Sequence, residues 1–306
     1  MRAIQPTQSG VLFAAGFQIE YDVFGPAGAP GVLLLPAWQI LNRRVWKMQV
    51  AGLARAYRVI TFDGPRRADD PQSLDKAAFE FDRIVDQGIE LLNFLGVERA
   101  AVAGLARGCA YAILMAARYP ERVAALVLTT NGVTPESWGT PPPNVRERLD
   151  SYTGWEKYNL PYWHEHYDDW LEFLFGEVFS EPHSSKPFED SIAWAHETTP
   201  EILGLTEDDP ALMPKMPVEE AIASVMCPVL LIHGDDARCT PIHCSLELSS
   251  LRSDWPMVIL DGSGQVPQIR DPVRVNLLIT EFLQQSVCVR PARSCDPEAA
   301  RSGDAA

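Results

Sequence analysis

The stretch from Ala100 to Thr130 constrains the fold more than any other part of the chain. It begins with a short apolar run, Ala100–Ala103, which predicts a buried strand. The tight turn Gly104–Gly108 (GLARG) follows, then a helix that ends near Tyr119 and a second apolar strand, Val123–Leu128. Strands that alternate with helices indicate parallel strands joined by right-handed crossovers. The sequence therefore predicts an α/β protein with a doubly wound, mostly parallel sheet.

The same alternation extends over the rest of the chain. Further buried strands are predicted at Gly31–Leu35, Arg58–Phe62, Pro228–His233 and Met257–Leu260. Val11–Phe24 alternates around Gly16 and predicts an antiparallel hairpin at the sheet edge. Helices are expected over Asn42–Ala56, over Ser73–Leu95 with Ser73 as N-cap, from Pro241 onward and over Asp271–Gln285.

Residues 133–225 interrupt this pattern. They are rich in proline and aromatic residues and lack strong strand signals, which favours a helical lid inserted over the sheet. Residues 1–132 and 226–288 would then form the core. Residues 289–306 are mostly Arg, Pro, Ser, Glu and Ala, a composition typical of a disordered tail.

The turn after the first of these strands carries a family resemblance. Gly104–Gly108 resembles the nucleophile elbow, G-x-S-x-G, of the α/β-hydrolase superfamily, in which glycines flank a strained strand-to-helix turn. The resemblance covers roughly residues 10–286 and implies an α/β-hydrolase fold with an inserted lid. It is closest to a bacterial branch with a YN-x-x-YW motif in the lid, which lies here at Tyr158–Trp163. Ala106 stands where the family carries serine, and a methyl group cannot attack a carbonyl.

The other two positions of the catalytic triad depart from the family in the same way. The catalytic acid follows a strand that ends in His-Gly, and this position is occupied by Ala237, with Asp236 one residue earlier. The catalytic histidine lies in G-x-G-H-x-P, and this position is occupied by Gln265. Loss of the nucleophile or the base alone costs a serine protease about 10⁶-fold in kcat, so ordinary ester hydrolysis is not expected.

The resemblance implies that the oxyanion hole survives. Its two donors are backbone N–H groups, one from the residue after the nucleophile and one from the turn after the third strand. By position these belong to Arg107 and Trp38. A helix beginning at Arg107 would add the positive end of its dipole.

Function is interpreted in three ways. The first is a non-hydrolytic enzyme, an epimerase, isomerase or cyclase of natural-product biosynthesis, similar in logic to the α/β-hydrolase-fold peptide epimerase of bottromycin biosynthesis. In that reading the two amides hold an enolate and the substrate's own carboxylate removes the proton. The second is a ligand-binding pseudoenzyme without catalysis. The third is a residual hydrolase with a relocated triad that uses Asp236 or a histidine of the lid.

Six positions are predicted to contact the substrate, chosen by their place beside the former triad or in the lid: Leu105, Asp236, Trp163, His164, His166 and Val266. The many aromatic residues of the lid predict a bulky, partly apolar small molecule or peptide as ligand. No cofactor and no metal are expected, because the Cys and His spacing matches no zinc pattern.

Composition restricts the partners. A net charge of −15 and a sequence pI near 4.8 argue against nucleic acid and anionic membranes. The six cysteines form no disulfide framework, and the N-terminal residues lack the apolar core of a signal peptide, so a cytoplasmic protein is expected. A monomer and a homodimer are both left open.

Overall fold

The computed structural model describes residues 4–134, 144–207 and 210–287. Its strands are β1 (Gln8–Ala14), β2 (Phe17–Phe24), β3 (Gly31–Leu34), β4 (Arg58–Asp63), β5 (Ala100–Leu105), β6 (Val123–Thr129), β7 (Val229–Gly234) and β8 (Met257–Leu260). They form one sheet in the order β1-β2-β4-β3-β5-β6-β7-β8. Strands β3 to β8 pair in parallel, whereas β1 and β2 form the antiparallel edge. The predicted hairpin and the doubly wound, mostly parallel sheet are confirmed.

The central strands are apolar because both of their faces are covered. Every residue of β5, β6 and β7 is buried. Strand β2 instead alternates between buried and more exposed residues over most of its length, as expected near a sheet edge. The parallel strands all end at the same edge of the sheet, so the turns after β3, β5, β7 and β8 meet there.

The helices are α1 (Lys47–Leu53), α2 (Phe81–Phe94), α3 (Arg107–Arg118), α4 (Leu160–Glu165), α5 (Tyr167–Val178), α6 (Ser185–Ala195), α7 (Pro200–Gly204), α8 (Val218–Ser224), α9 (His243–Leu251), α10 (Pro267–Arg270) and α11 (Pro272–Val287). Short 3-10 helices lie at Arg43–Trp46, Pro71–Leu74, Lys76–Phe79, Gly154–Lys157 and Pro210–Leu212. Helices α2, α3 and α8 pack on one face of the sheet, and α1 and α11 on the other.

One predicted helix start is wrong. Ser73 does not cap α2, which begins eight residues later at Phe81. The side chains of Asp70 and Asp75 instead accept hydrogen bonds from backbone N–H groups two residues on. These bonds start two separate 3-10 turns, because a short carboxylate caps whichever turn its own backbone begins.

The inserted segment, residues 133–225, holds α4 to α8, and its described residues contain no β-strand. Several of its large aromatic residues, among them Trp163, Trp170 and Phe175, are buried and join the core on the α1 and α11 face of the sheet. The boundaries proposed for core and lid stay predictions, and residues 289–306, expected to be disordered, lie outside the described residues. Within the described ranges, every helix is too short or too polar to span a bilayer.

Candidate active site

The elbow keeps its unusual backbone although its central residue is alanine. Ala106, between β5 and α3, has φ 49° and ψ −114°. The flanking glycines are required by close approach: a Cβ on Gly104 would lie 2.3 Å from the Gly108 carbonyl oxygen, and one on Gly108 would lie 2.7 Å from that of Pro36. The chain therefore holds a non-glycine residue in a conformation that costs about 1–3 kcal/mol. It also presses the elbow against the turn that follows β3.

A cavity of about 480 Å³ opens above Ala106. Its floor is formed by the elbow and the turn after β3, and its sides by the inserted segment and the loops after β7 and β8. The lining residues are Ala37, Trp38, Ile40, Leu41, Leu105, Ala106, Arg107, Trp155, Tyr158, Leu174, Phe175, Val178, Arg238, Cys239, Thr240, Pro241, Gln265 and Val266. This volume is in the usual range for a site that holds a small molecule.

The two predicted oxyanion donors both belong to this wall. Among the hydrogen bonds of the described residues, neither the Trp38 N–H nor the Arg107 N–H has a protein acceptor. Arg107 is also the first residue of α3, so its amide lies at the positive end of the helix. A carbonyl oxygen bound between these amides would become more polarised.

The side chain of Arg107 is held by the inserted segment. Its guanidinium donates to the Thr206 carbonyl oxygen at 3.0 Å and to Glu207 Oε1 at 2.6 Å. Burial favours loss of the guanidinium proton, but the charge of Glu207 outweighs it, so the pKa of Arg107 lies above its ordinary value. The Tyr158 hydroxyl donates to Glu207 Oε2 at 2.9 Å. Burial and the neighbouring Glu207 raise the pKa of Tyr158 well above 10, so the phenol stays protonated.

Gln265 lines the cavity, and its amide is occupied by one residue of the opposite loop. Its Oε1 accepts from the Thr240 N–H at 2.9 Å, and its Nε2 donates to Thr240 Oγ1 at 2.8 Å. The two loops also approach each other closely at Gly234. A Cβ there would lie 2.2 Å from the Ser263 carbonyl oxygen, so only glycine allows this approach. The side chain at the position assigned to histidine therefore joins two loops of the wall. Ala237 is buried and does not line the cavity.

The two cysteines nearest the elbow are poor nucleophiles. Cys239 lines the cavity, and burial raises the pKa of its thiol to about 12. Cys109 is fully buried in α3, and burial raises its pKa as well. Because the thiolate is the reactive form, neither side chain is an effective nucleophile at neutral pH. Within the described ranges, no three His, Cys, Asp or Glu side chains are grouped as metal ligands.

The structure separates the six predicted substrate contacts into two groups. Leu105 and Val266 line the cavity, whereas Asp236, Trp163, His164 and His166 lie outside its wall. Each of the four has another environment. Trp163 is buried against Trp38 and Trp170, and His164 lies 3.2 Å from Glu201.

The remaining two are engaged at the surface. The ring of His166 packs against Tyr162. Hydrogen bonds from Ser180 and Arg238 lower the pKa of the Asp236 carboxyl, so it is a weaker base than a free aspartate. The described lining residues include no carboxylate and no histidine.

Several wall residues were not predicted from the sequence: Tyr158, Thr240, Cys239 and Arg238, with Thr206 and Glu207 directly behind them. Tyr158 is the first residue of the YN-x-x-YW motif, so a signal for it was present. Glu207 begins an acidic run, Glu207-Asp208-Asp209, which has the composition of a solvated loop and gave no signal. Its burial depends on a partner 100 residues away.

Comparison with known proteins identifies the family and the fold. The sequence model of the Alpha/beta hydrolase family matches residues 28–276. A protein of Caulobacter sp. (strain K31), named as a carbamate hydrolase, RutD, is 24% identical over 273 residues, which are 85% of this chain and 92% of the relative. The RutD of Escherichia coli O139:H28 is 24% identical over 243 residues, covering 78% of this chain and 85% of the relative.

Solved structures show the same fold. A mutant of the meta-cleavage product hydrolase CumD from Pseudomonas fluorescens superposes with a TM-score of 0.69 at 23% identity, covering 90% of this chain and 97% of CumD. The enol-lactonase of Burkholderia xenovorans superposes with a TM-score of 0.71 at 17% identity, covering 90% of this chain and all of the lactonase. At these identities the likeness establishes the fold.

Proposed function

The chain belongs to the alpha/beta hydrolase family, and we propose that it is a non-hydrolytic member that epimerises or isomerises a substrate at the carbon beside a carbonyl. One observation supports this most strongly. The strained elbow backbone is kept at Ala106, beside two amides without protein acceptors, in a cavity whose described wall has no catalytic base.

The proposal includes loss of the triad at Ala106, Ala237 and Gln265. The methyl group of Ala106 cannot form an acyl-enzyme, and the thiol of Cys239 is protonated at neutral pH. The Gln265 amide is bonded to Thr240 and has no titratable proton to exchange. Hydrolysis by the ordinary route of the family is therefore not expected of this chain.

The two amides suit an enolate as well as they suit a tetrahedral intermediate. Both species place negative charge on the former carbonyl oxygen, and loss of one such donor costs about 2.7–4 kcal/mol of transition-state stabilisation in a protease. In our proposal the oxygen binds between the N–H groups of Trp38 and Arg107. The C–H bond beside the carbonyl breaks, and its proton passes to a carboxylate of the substrate itself. A proton from solvent is then added to the other face of the enolate carbon, and the substrate carboxylic acid releases its proton to solvent, which completes the epimerisation.

The cavity also indicates the kind of substrate. Trp38, Trp155, Tyr158 and Phe175 give it aromatic walls, which suit a bulky, partly apolar small molecule or peptide. The setting in natural-product biosynthesis comes from the similarity in logic to the bottromycin epimerase. It remains part of the proposal, together with a cytoplasmic location and a reaction without a cofactor.

A ligand-binding pseudoenzyme is the second candidate. The lack of a base among the described lining residues favours it as well. A cavity with aromatic walls and two polarising amides can hold a carbonyl compound without changing it. It differs from the enzyme in one respect that can be measured: it does not exchange the proton beside the carbonyl with solvent.

The test is incubation with candidate peptides and polyketides in D₂O, followed by mass spectrometry and chiral analysis. Protein-dependent deuterium at the carbon beside a carbonyl is expected. The control is Ala106→Leu, whose larger side chain occupies the cavity floor and should abolish exchange. Saturable binding without exchange would leave the pseudoenzyme, and release of a free acid would show a hydrolase.

A further inference from the structure

The two residues that supply the proposed oxyanion donors are held by the same dipeptide of the inserted segment. Arg107 donates to the Thr206 carbonyl oxygen and to Glu207 Oε1. Trp38 Nε1 donates to Thr206 Oγ1 at 2.8 Å. These contacts join positions separated by up to 168 residues of chain. The dipeptide Thr206-Glu207 therefore connects the turn after β3 to the elbow from above.

Glu207 is the charged centre of this arrangement. Only 2% of its side chain is exposed, against 17% for Arg107. Both of its carboxylate oxygens are engaged, Oε1 by Arg107 and Oε2 by the Tyr158 hydroxyl. The guanidinium of Arg107 also lies 5.6 Å from the centre of the Trp38 ring. Glu207 is therefore linked to both donor residues. It binds Arg107 directly, and it reaches Trp38 through Arg107 and Thr206.

A buried ion pair is a poor device for stability alone. Removing both charges from water is costly, and a well-packed apolar pair of the same volume often stabilises a protein as much. Charged and hydrogen-bonded groups instead fix the orientation of the side chains that they join, because each bond restricts the angle as well as the distance. Oxyanion donors require such fixed placement, because they act only when they are already aimed at the developing charge.

We propose that Glu207 is a positioning residue, which fixes the backbone N–H groups of Trp38 and Arg107 through their side chains. This inference rests on the proposed function for its purpose, but the placement of the amides can be tested without a substrate. Glu207 itself does not line the cavity and does not touch the reacting atoms.

The first experiment follows the ¹⁵N amide signals of Trp38 and Arg107 in selectively labelled protein. Glu207→Gln should shift both signals and increase the motion seen in ¹⁵N relaxation. Asp82→Asn is the matched control, because Asp82 forms an ion pair with Arg118, which lies at the opposite end of α3 from Arg107. It should leave both signals unchanged. If Glu207→Gln also leaves them unchanged in the folded protein, the inference is overturned.

A second variant covers the case in which Glu207→Gln does not fold. Thr206→Val keeps the ion pair and removes the acceptor of the Trp38 indole. It should shift the amide signal of Trp38 and leave the amide signal of Arg107 unchanged. Unchanged signals at Trp38 would contradict the proposed connection.

The second experiment compares the affinity of the protein for two probes. One is acetophenone labelled with ¹³C at its carbonyl, and the other is α-methylstyrene, in which a vinylidene group replaces the carbonyl. Wild-type protein should prefer the ketone, binding it about tenfold more tightly, the value of one net hydrogen bond. Glu207→Gln should lose this preference, and Asp82→Asn should keep it.

The outcomes separate the two proposals. If wild-type protein does not prefer the ketone, the proposed function fails, and the amide signals alone decide the role of Glu207. If the preference survives in Glu207→Gln with undisturbed amides, the proposed function stands and the positioning role is wrong.

Discussion

Two cavities of similar size lie near the carboxyl ends of the strands, and they differ in how their polar groups are used. The first is the cavity of about 480 Å³ above Ala106. The second, here called the charged cleft, has a volume of about 440 Å³ and lies between β2, the end of β4 and the 3-10 helix Arg43–Trp46. Its wall carries four arginines and five carboxylates: Arg43, Arg44, Arg66, Arg67, Glu20, Asp22, Asp63, Asp70 and Glu197.

The charged side chains of the cleft all have hydrogen-bond or ion-pair partners within the protein. Arg43 binds Glu20, Asp22 and Asp63, and Glu197 accepts from Arg44 and Arg66. Arg67 binds Asp69 outside the cleft, and Asp70 accepts from a backbone N–H. The cavity above Ala106 has few polar groups, but two of its amides have no protein acceptor among the described residues.

Volume and charge therefore do not distinguish the two cavities as candidate sites, but the partners of their polar groups do. A polar group already paired within the protein must break that bond to bind a ligand, whereas an amide without a protein acceptor can bind one without breaking a protein hydrogen bond. In our proposal the ligand therefore binds in the less polar cavity. Four substitutions or conditions test this contrast.

The largest effect is expected from Glu207→Ala. The change leaves Arg107 buried without its counter-charge, and we expect the free energy of unfolding to fall by about 3–5 kcal/mol, measured by urea denaturation. Glu20→Ala in the charged cleft is the comparison, and its loss should be smaller. Glu20 is 46% exposed, and its partner Arg43 keeps its ion pairs with Asp22 and Asp63. Equal losses would contradict the distinction between the two regions.

Gln265→Ala should have the next largest effect. It removes both hydrogen bonds to Thr240, and the loss is expected to be about 1–3 kcal/mol, because a backbone N–H is left without its partner. Gln72→Ala is the control, because the Gln72 side-chain oxygen accepts from the exposed N–H of Gln18, which lines the charged cleft. That variant should lose only a few tenths of a kcal/mol, since water can replace the bond.

Ala106→Gly should raise stability. Glycine adopts a positive φ without the steric cost that alanine has at 49°, and we expect a gain of about 1 kcal/mol in thermal denaturation experiments. Ala110→Gly, in the interior of α3, should lower stability by about the same amount. A loss of stability in Ala106→Gly would mean that the elbow is not strained.

The smallest effect concerns pH. Burial lowers the pKa of His233 below 6.5, so the unfolded chain takes up this proton first as the pH falls. Its contribution to stability is therefore present above pH 6.5 and is lost as the pH decreases below it. His233→Gln should flatten this part of the curve of unfolding free energy against pH.

The charged cleft should lose part of its contribution to stability at a lower pH than His233 does. Partial burial favours the protonated form of Glu197, but hydrogen bonds from Arg44, Asn42 and Arg66 outweigh it and hold the pKa below 4.5. Its contribution is present above pH 4.5 and is lost below that value. This second decrease should persist in His233→Gln, and its disappearance would contradict the assignment of the two steps.

The sequence by itself determined the sheet, the elbow and which residues stand at the positions that we assign to the triad. Apolar runs covered on both faces, glycines at fixed spacing and turn residues are local features, and their meaning does not depend on distant contacts. The start of α2 was missed for a local reason too, since Asp70 and Asp75 compete with Ser73 as caps.

Only the tertiary structure decided what the wall residues do. The sequence placed Asp236, His164 and His166 by position, but their partners and their distance from the wall depend on how the inserted segment folds back. The same holds for Gln265, which joins two loops, and for Glu207, whose burial depends on a partner 100 residues away. A side chain's role is set by the groups that surround it in space, and contacts between distant segments leave no periodic signal in the sequence.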